Sequence, residues 1–174
     1  MSIRSASREA IRTLDLVWDG SLPIDPVALA DALLYPALGR DLPIRMLGDD
    51  LGSDSGYSEL VAGEDPHFLC AYNLAESPER QRFTQAHELG HVVLGHVTEA
   101  APKRRDPDFR NDRTSPEYPM ERDANAFAAT LLMPSRTVRE LADQGMSLWD
   151  MAAALGVSVP AMSYRLQNLG IVDL

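Results

Sequence analysis

The most informative segment of the chain is Ser77-Pro78-Glu79-Arg80-Gln81-Arg82-Phe83-Thr84-Gln85-Ala86-His87-Glu88-Leu89-Gly90-His91, continuing through Val92-Val93-Leu94-Gly95-His96. Ser77 followed by Pro78 is a cap-plus-proline start, so a helix is expected from there to about His96. Inside it His87 and His91 stand four residues apart. Positions i and i+4 lie one above the other on a helix face, so their imidazoles converge on a single point. Glu88 is turned by about 100° from His87, beside that point, where it can accept a proton from an activated water without occupying a coordination position. Glycine at 90 leaves room for another element to approach the helix closely. With four His and ten Glu in 174 residues, chance would produce this H-E-x-x-H about 0.005 times. It is therefore read as chemistry.

A zinc site needs a third protein ligand and an open position. A metzincin would place glycine three and histidine six residues after His91, but Leu94 and Val97 stand there. His96, five residues after His91, falls on the wrong side of an extended helix. It is read as a polar residue near the helix C-terminus, where a cation suits the dipole. His67 reads as structural or exposed. A carboxylate remains. A second strong helix, from about Met120 to Met133 and stopped by Pro134, offers Glu121 as ligand and, four residues on, Asn125 to orient a ligand histidine. Ala124, Phe127, Ala128 and Leu131 form its apolar stripe. That stripe includes Glu121, whereas Asp123 falls at its edge or beyond.

Upstream, residues 3–17 have helical spacing, predicting an amphipathic helix that ends near Gly20. Asp25-Pro26 opens a short helix through about Leu34. Apolar runs Leu42–Leu47, Tyr57–Ala62 and Phe68–Tyr72, separated by turn clusters, predict a small antiparallel sheet of three strands. Residues 97–118 read as an exposed loop in which five basic residues (Lys103, Arg104, Arg105, Arg110, Arg113) balance five acidic ones. The fold class expected is α+β: the sheet packs on the H-E-x-x-H helix, further helices surround it, and a short helical C-terminal tail follows. Residues 1–134 form the metal-binding domain. Residues 135–174 form a tail patterned as a helix-turn-helix with Ser158 as a cap, packed on that domain.

Composition narrows the function. Sixteen basic against twenty-six acidic residues give a net charge of −10 and a pI near 4.7, which opposes wrapping of nucleic acid phosphates. Residues 137–174 hold two arginines (Arg139, Arg165) against four acidic residues, net −2. Direct nucleic acid binding is not expected. The single cysteine, Cys70, excludes an internal disulfide and a Cys-rich zinc site. Cys70 is read as a small buried hydrophobe, with an inhibitory zinc ligand as the lesser alternative. The N-terminus lacks the apolar core of a signal peptide and no run reaches membrane-spanning length, so a soluble cytoplasmic protein is expected.

The motif Phe83-Thr84-Gln85-Ala86-His87-Glu88-Leu89-Gly90-His91, with Glu121-x-x-Ala124-Asn125-x-Phe127-Ala128-Ala129-x-Leu131-Leu132-Met133-Pro134, resembles the ImmA/IrrE family of bacterial metallopeptidases. The resemblance extends to Pro78–Arg82 upstream and to Leu155-Gly156-Val157-Ser158, Ala161-Met162 and Arg165-Leu166 downstream, covering roughly residues 22–170. It implies a minimal gluzincin-like zinc endopeptidase with His87, His91 and Glu121 as Zn2+ ligands and Glu88 as general base. It also implies, as partner, an Xre-type helix-turn-helix repressor encoded nearby, whose cleavage derepresses stress-response or mobile-element genes. Two other readings stay open: a toxin or partner-binding component paired with such an Xre-type protein, and a DNA-binding regulator with a vestigial metal site. For the oxyanion, Tyr57, Tyr72, Tyr118 or a loop arginine are candidates. The substrate strand is expected along an exposed sheet edge, with Phe68–Tyr72 the candidate. Beside larger family members the chain is compact, which leaves its activating signal open.

Overall fold

The computed structural model describes residues 2–106 and 118–171. Along them run α1 (Ile3–Val17), α2 (Pro26–Asp31), β1 (Leu34–Ala37), β2 (Arg40–Asp49), β3 (Gly56–Val61), β4 (His67–Asn73), α3 (Pro78–Val93), β5 (Lys103–Asp106), α4 (Tyr118–Leu132), α5 (Ser135–Asp143), α6 (Leu148–Leu155) and α7 (Val159–Leu169). The expected caps start their helices. Asp25 accepts from Val27 N, Ser77 from Arg80 N and Ser158 from Ala161 N, each satisfying a backbone donor that the first turn leaves without an intrahelical partner. α2 is shorter than its sequence suggests, because the chain turns at Ala32 and enters β1 at Leu34.

The sheet corrects the sequence reading twice. Among the described residues it has five strands, in the order β1-β2-β4-β3-β5, and it is mixed: β2 pairs parallel with β4, Met46 opposite Cys70, while the other pairs are antiparallel. After β2 the chain passes over the place beside it, lays down β3 one position further out, and returns as β4 into the gap. Runs read from sequence alone are naturally paired with their neighbours in order, and that assumption fails here. Lys103–Asp106, read as loop, forms β5 against β3. Residues 107–117, the rest of the expected loop, lie outside the described residues. β4 is thus bonded on both sides, so its Phe68–Tyr72 segment offers no free edge to a substrate strand, contrary to expectation. The edges belong to β1 and β5.

One sheet face meets α3. Gly56, Ser58 and Leu60 of β3 alternate as its buried positions, in register with Tyr72, Cys70 and Phe68 of β4. α4 crosses the other side of α3, and α1 covers α4, where Thr130 donates to Ser7. Leu89, Phe127, Leu131, Met151, Leu155 and Met162 are fully buried in one continuous cluster. The tail helices therefore share the core with the rest of the chain, and Arg165 Nε donates to the Met133 carbonyl at 2.9 Å. Among the described residues no helix is long and apolar enough to cross a membrane.

Candidate metal centre

The contact between α3 and α4 sets the site. A Cβ at Gly90 would lie 2.9 Å from Phe127 Cδ1, so the bare glycine lets the Phe127 ring settle against the α3 backbone. That close approach brings Glu121, in the first turn of α4, to the two imidazoles. His87 Nε2 and His91 Nε2 are 2.9 Å apart. Glu121 Oε2 lies 3.2 Å from the first and 3.4 Å from the second. These three residues each offer a ligand atom, all within 4.8 Å of one another. Both histidines are buried, while the Glu121 side chain keeps 26% exposure, which leaves the site open on that side.

The second nitrogen of each ring is also engaged. His87 Nδ1 meets Asn125 Oδ1 at 3.0 Å, the orienting contact that the i+4 spacing from Glu121 suggested. His91 Nδ1 meets His96 Nδ1 at 3.1 Å. With Asn125 Oδ1 accepting the Nδ1 proton, His87 presents a bare Nε2 lone pair toward His91 and Glu121. Lone pairs and a carboxylate gathered at such distances repel unless a cation sits among them. The donor set, two imidazoles and one carboxylate, is one that zinc takes with a fourth position left over. The residues fit a metal.

Glu88 is buried against β3. Its carboxylate accepts from Ser58 Oγ, and the same hydroxyl lies 3.2 Å from the Glu88 carbonyl. Ser58 belongs to no motif; its only signal is its place on the inward face of β3. Cys70, opposite Ser58 in register, is fully buried, and burial first and the Glu88 charge second push its thiol up. It stays outside the His87, His91 and Glu121 group, as a packed hydrophobe would.

Two further expectations change. His96 is buried at 8% exposure against His91, rather than standing as a cation at the helix end. Burial, then the neighbouring His91, lowers its pKa to about 4. Asp123 is buried at 1% exposure, because it shares the face of Phe127 and Thr130 that packs inward. It lies 3.3 Å from Arg122 Nη2 and is not in the ligand group. Among the oxyanion candidates, Tyr57 alternates onto the sheet face away from Glu88, under Lys103 Nζ at 4.0 Å, and Tyr72 sets its ring against Gly48 of β2. Tyr118 stands one turn before Glu121 on α4. Arg104 spends its Nε on the His96 carbonyl at 3.1 Å. His67 makes a local contact to the Asp65 carbonyl.

The chain belongs to the peptidase family described as the IrrE N-terminal-like domain, whose sequence profile matches residues 53–167. It is 34% identical over 146 residues to the radiation response metalloprotease IrrE of Deinococcus radiodurans, covering 79% of this chain and 43% of that protein. The corresponding protein of Deinococcus deserti is 34% identical over 107 residues, 59% of this chain and 37% of that one. The chain thus spans less than half the length of the curated relatives it matches. Among solved structures, a Mycobacterium tuberculosis transcriptional regulator superposes with a TM-score of 0.59 over 95% of this chain and 47% of that one, at 17% identity. That likeness concerns the fold.

Proposed function

We propose that this member of the IrrE N-terminal-like family is a zinc-dependent endopeptidase. The observation that carries the reading is the convergence of His87 Nε2, His91 Nε2 and Glu121 Oε2 within 4.8 Å, with the other nitrogen of each ring already engaged. Those three side chains would hold Zn2+, and residues 1–134 would carry the chemistry with 135–174 packed on them. When bound, zinc supplies Lewis-acid polarisation of the scissile carbonyl and lowers the pKa of the attacking water. Glu88 takes the water proton on its carboxylate and delivers it to the leaving amine. Ser58 holds that carboxylate in one orientation, and Asn125 holds His87.

The substrate is read as an Xre-type helix-turn-helix repressor encoded nearby, its cleavage derepressing stress-response or mobile-element genes. Support comes from the family motifs on α3 and α4 and from relatives named as radiation response metalloproteases. A repressor substrate places the reaction in the cytoplasm. The test is incubation of the zinc-loaded chain with the neighbouring Xre-type protein, with fragments read by mass. Two fragments that vanish on chelation and return with zinc are expected. A stable complex without fragments would instead favour a partner-binding component of a toxin-antitoxin-like pair.

A further inference from the structure

His96 is brought to His91 by the way α3 ends. The helix stops at Val93, Leu94 caps it, and Gly95 takes a left-handed conformation at φ +70°. Gly95 N then donates to Val92 O, and His96 N to His91 O, both at 2.9 Å. This is the reversal in which an αL glycine lets the next residue bond back onto the last turn. Its effect here is particular. The carbonyl that receives the His96 N–H belongs to His91, so the backbone of one residue is tied to the backbone of the other. From that anchor the His96 ring turns inward, its Nδ1 3.1 Å from His91 Nδ1 and the ring planes at 67°. From β5, Arg104 Nε pins the His96 carbonyl.

A contact of 3.1 Å between two ring nitrogens accommodates one proton. A histidine that offers Nε2 to a cation carries its proton on Nδ1, so the shared proton belongs to His91 and His96 Nδ1 is the acceptor. We infer that His96 is a positioning residue for His91: it accepts the His91 Nδ1 proton, fixes that ring's tautomer and angle, and so aims His91 Nε2 at the metal. The inference rests on the metal reading above. It makes the two ligand histidines a matched pair, His87 oriented by Asn125 from α4 and His91 by His96 from the end of its own helix. Such outer partners are worth about 10–100-fold in metal affinity.

The test compares zinc affinity of the full chain, by competition with a chromophoric chelator, for wild type, His96→Asn and His96→Phe. Asparagine sets a carbonyl oxygen where Nδ1 stands and accepts the same proton; phenylalanine fills the ring's space and accepts none. His96→Phe is expected to weaken zinc binding about 10–100-fold, and His96→Asn to recover most of that loss, although asparagine fills the space less well. Unchanged affinity in His96→Phe overturns the inference, and so does equal loss in both variants, since proton acceptance would then count for nothing. A wild-type chain that binds no zinc overturns the metal reading and this inference together. One readout needs no variant: nitrogen-15 histidine spectra of the zinc-loaded chain should show His96 protonated on Nε2. A proton on His96 Nδ1 overturns the inference.

Discussion

Gly56 on β3 stands so close to Glu88 on α3 that a methyl group at position 56 would lie 2.8 Å from Glu88 Oε1 and 2.6 Å from Thr84 Cγ2. The missing side chain forms a slot in the inner sheet face, and the Glu88 carboxylate occupies it. Ser58, the next inward position on β3, supplies the hydroxyl that holds the carboxylate. Gly56→Ala should therefore push Glu88 aside or strain the strand. The expected cost is about 1–3 kcal/mol, the usual range for overpacking, read as a lower urea midpoint, together with reduced cleavage. A variant as stable and as active as wild type would mean that the slot is slack.

Glu88 moves protons in the proposed reaction and binds no metal. Glu88→Gln keeps the shape and can still pair with Ser58, but it has no basic oxygen at neutral pH. Zinc content should match wild type, while cleavage falls by at least about 10²-fold, the lower end of what general acid–base catalysis contributes. Equal cleavage at equal zinc loading would end the mechanism. Ser58→Ala gives a milder form of the same test: a few-fold lower rate with zinc content unchanged.

Glu121 and Asp123 separate ligation from packing. Glu121→Ala should lower zinc occupancy sharply and abolish cleavage. It should cost the metal-free chain little, because the side chain is part-exposed. Asp123→Ala should leave zinc occupancy near wild type but lower stability by about 1–3 kcal/mol, because it removes a buried carboxylate paired with Arg122 Nη2, and hydrogen bonds to charged groups contribute on that order. Zinc titration followed by thermal melting reads both quantities. Loss of metal from the Asp123 variant alone would place the ligand wrongly.

Gly90 and Phe127 test the contact that assembles the site. Gly90→Ala improves helix propensity by up to about 1 kcal/mol but forces a Cβ to 2.9 Å from the Phe127 ring. Overpacking should prevail and the melting temperature should fall. Because the strain arises from the ring, Phe127→Leu should lose less stability in the Gly90→Ala background than in wild type. Strict additivity in the double-mutant cycle would show that the two residues do not meet.

Much of this was legible because it is local. His87, His91, Glu121 and Asn125 are fixed by i, i+3 and i+4 relations on two strongly patterned helices, and the caps at Asp25, Ser77 and Ser158 by residue type. What escaped depends on where the chain turns. A helical wheel extended past Val93 turns His96 away from His91, whereas Gly95 ends the helix and folds the His96 ring back against His91. Asp123 stands at the edge of the apolar stripe yet is buried, because one stripe does not reveal that α1 also covers α4. Strand order and the parallel β2–β4 pair are non-local, and no run of residues encodes which neighbour it will meet. Ser58 is a single hydroxyl on an inward strand face, invisible until that face has a partner.

The tail carries the last prediction. α6 and α7 meet at Gly156, left-handed at φ +63°, with Ser158 capping the second helix, the outline of a helix-turn-helix. Binding duplex DNA requires cations facing the phosphates. Residues 135–174 carry three arginines against four acidic residues, and all three are engaged within the chain: Arg136 Nε pairs with Glu140 Oε1 at 2.8 Å. Arg165 Nε donates to the Met133 carbonyl, and Arg139 Nη2 to the Leu169 carbonyl at 3.1 Å. Burial lowers the Arg165 pKa, so spending that cation on a phosphate would also mean pulling it out of the fold. The same segment is tied to the rest of the chain by Met151, Leu155 and Met162 in the common core. The full chain should therefore show no salt-dependent binding to duplex DNA of mixed sequence up to micromolar concentration. Met162→Ala should destabilise the whole chain by about 2–5 kcal/mol, in a single transition that includes the metal centre. Sub-micromolar DNA binding that weakens steeply with salt, or a tail that melts separately while zinc stays bound, would show the tail to be an independent DNA-reading unit.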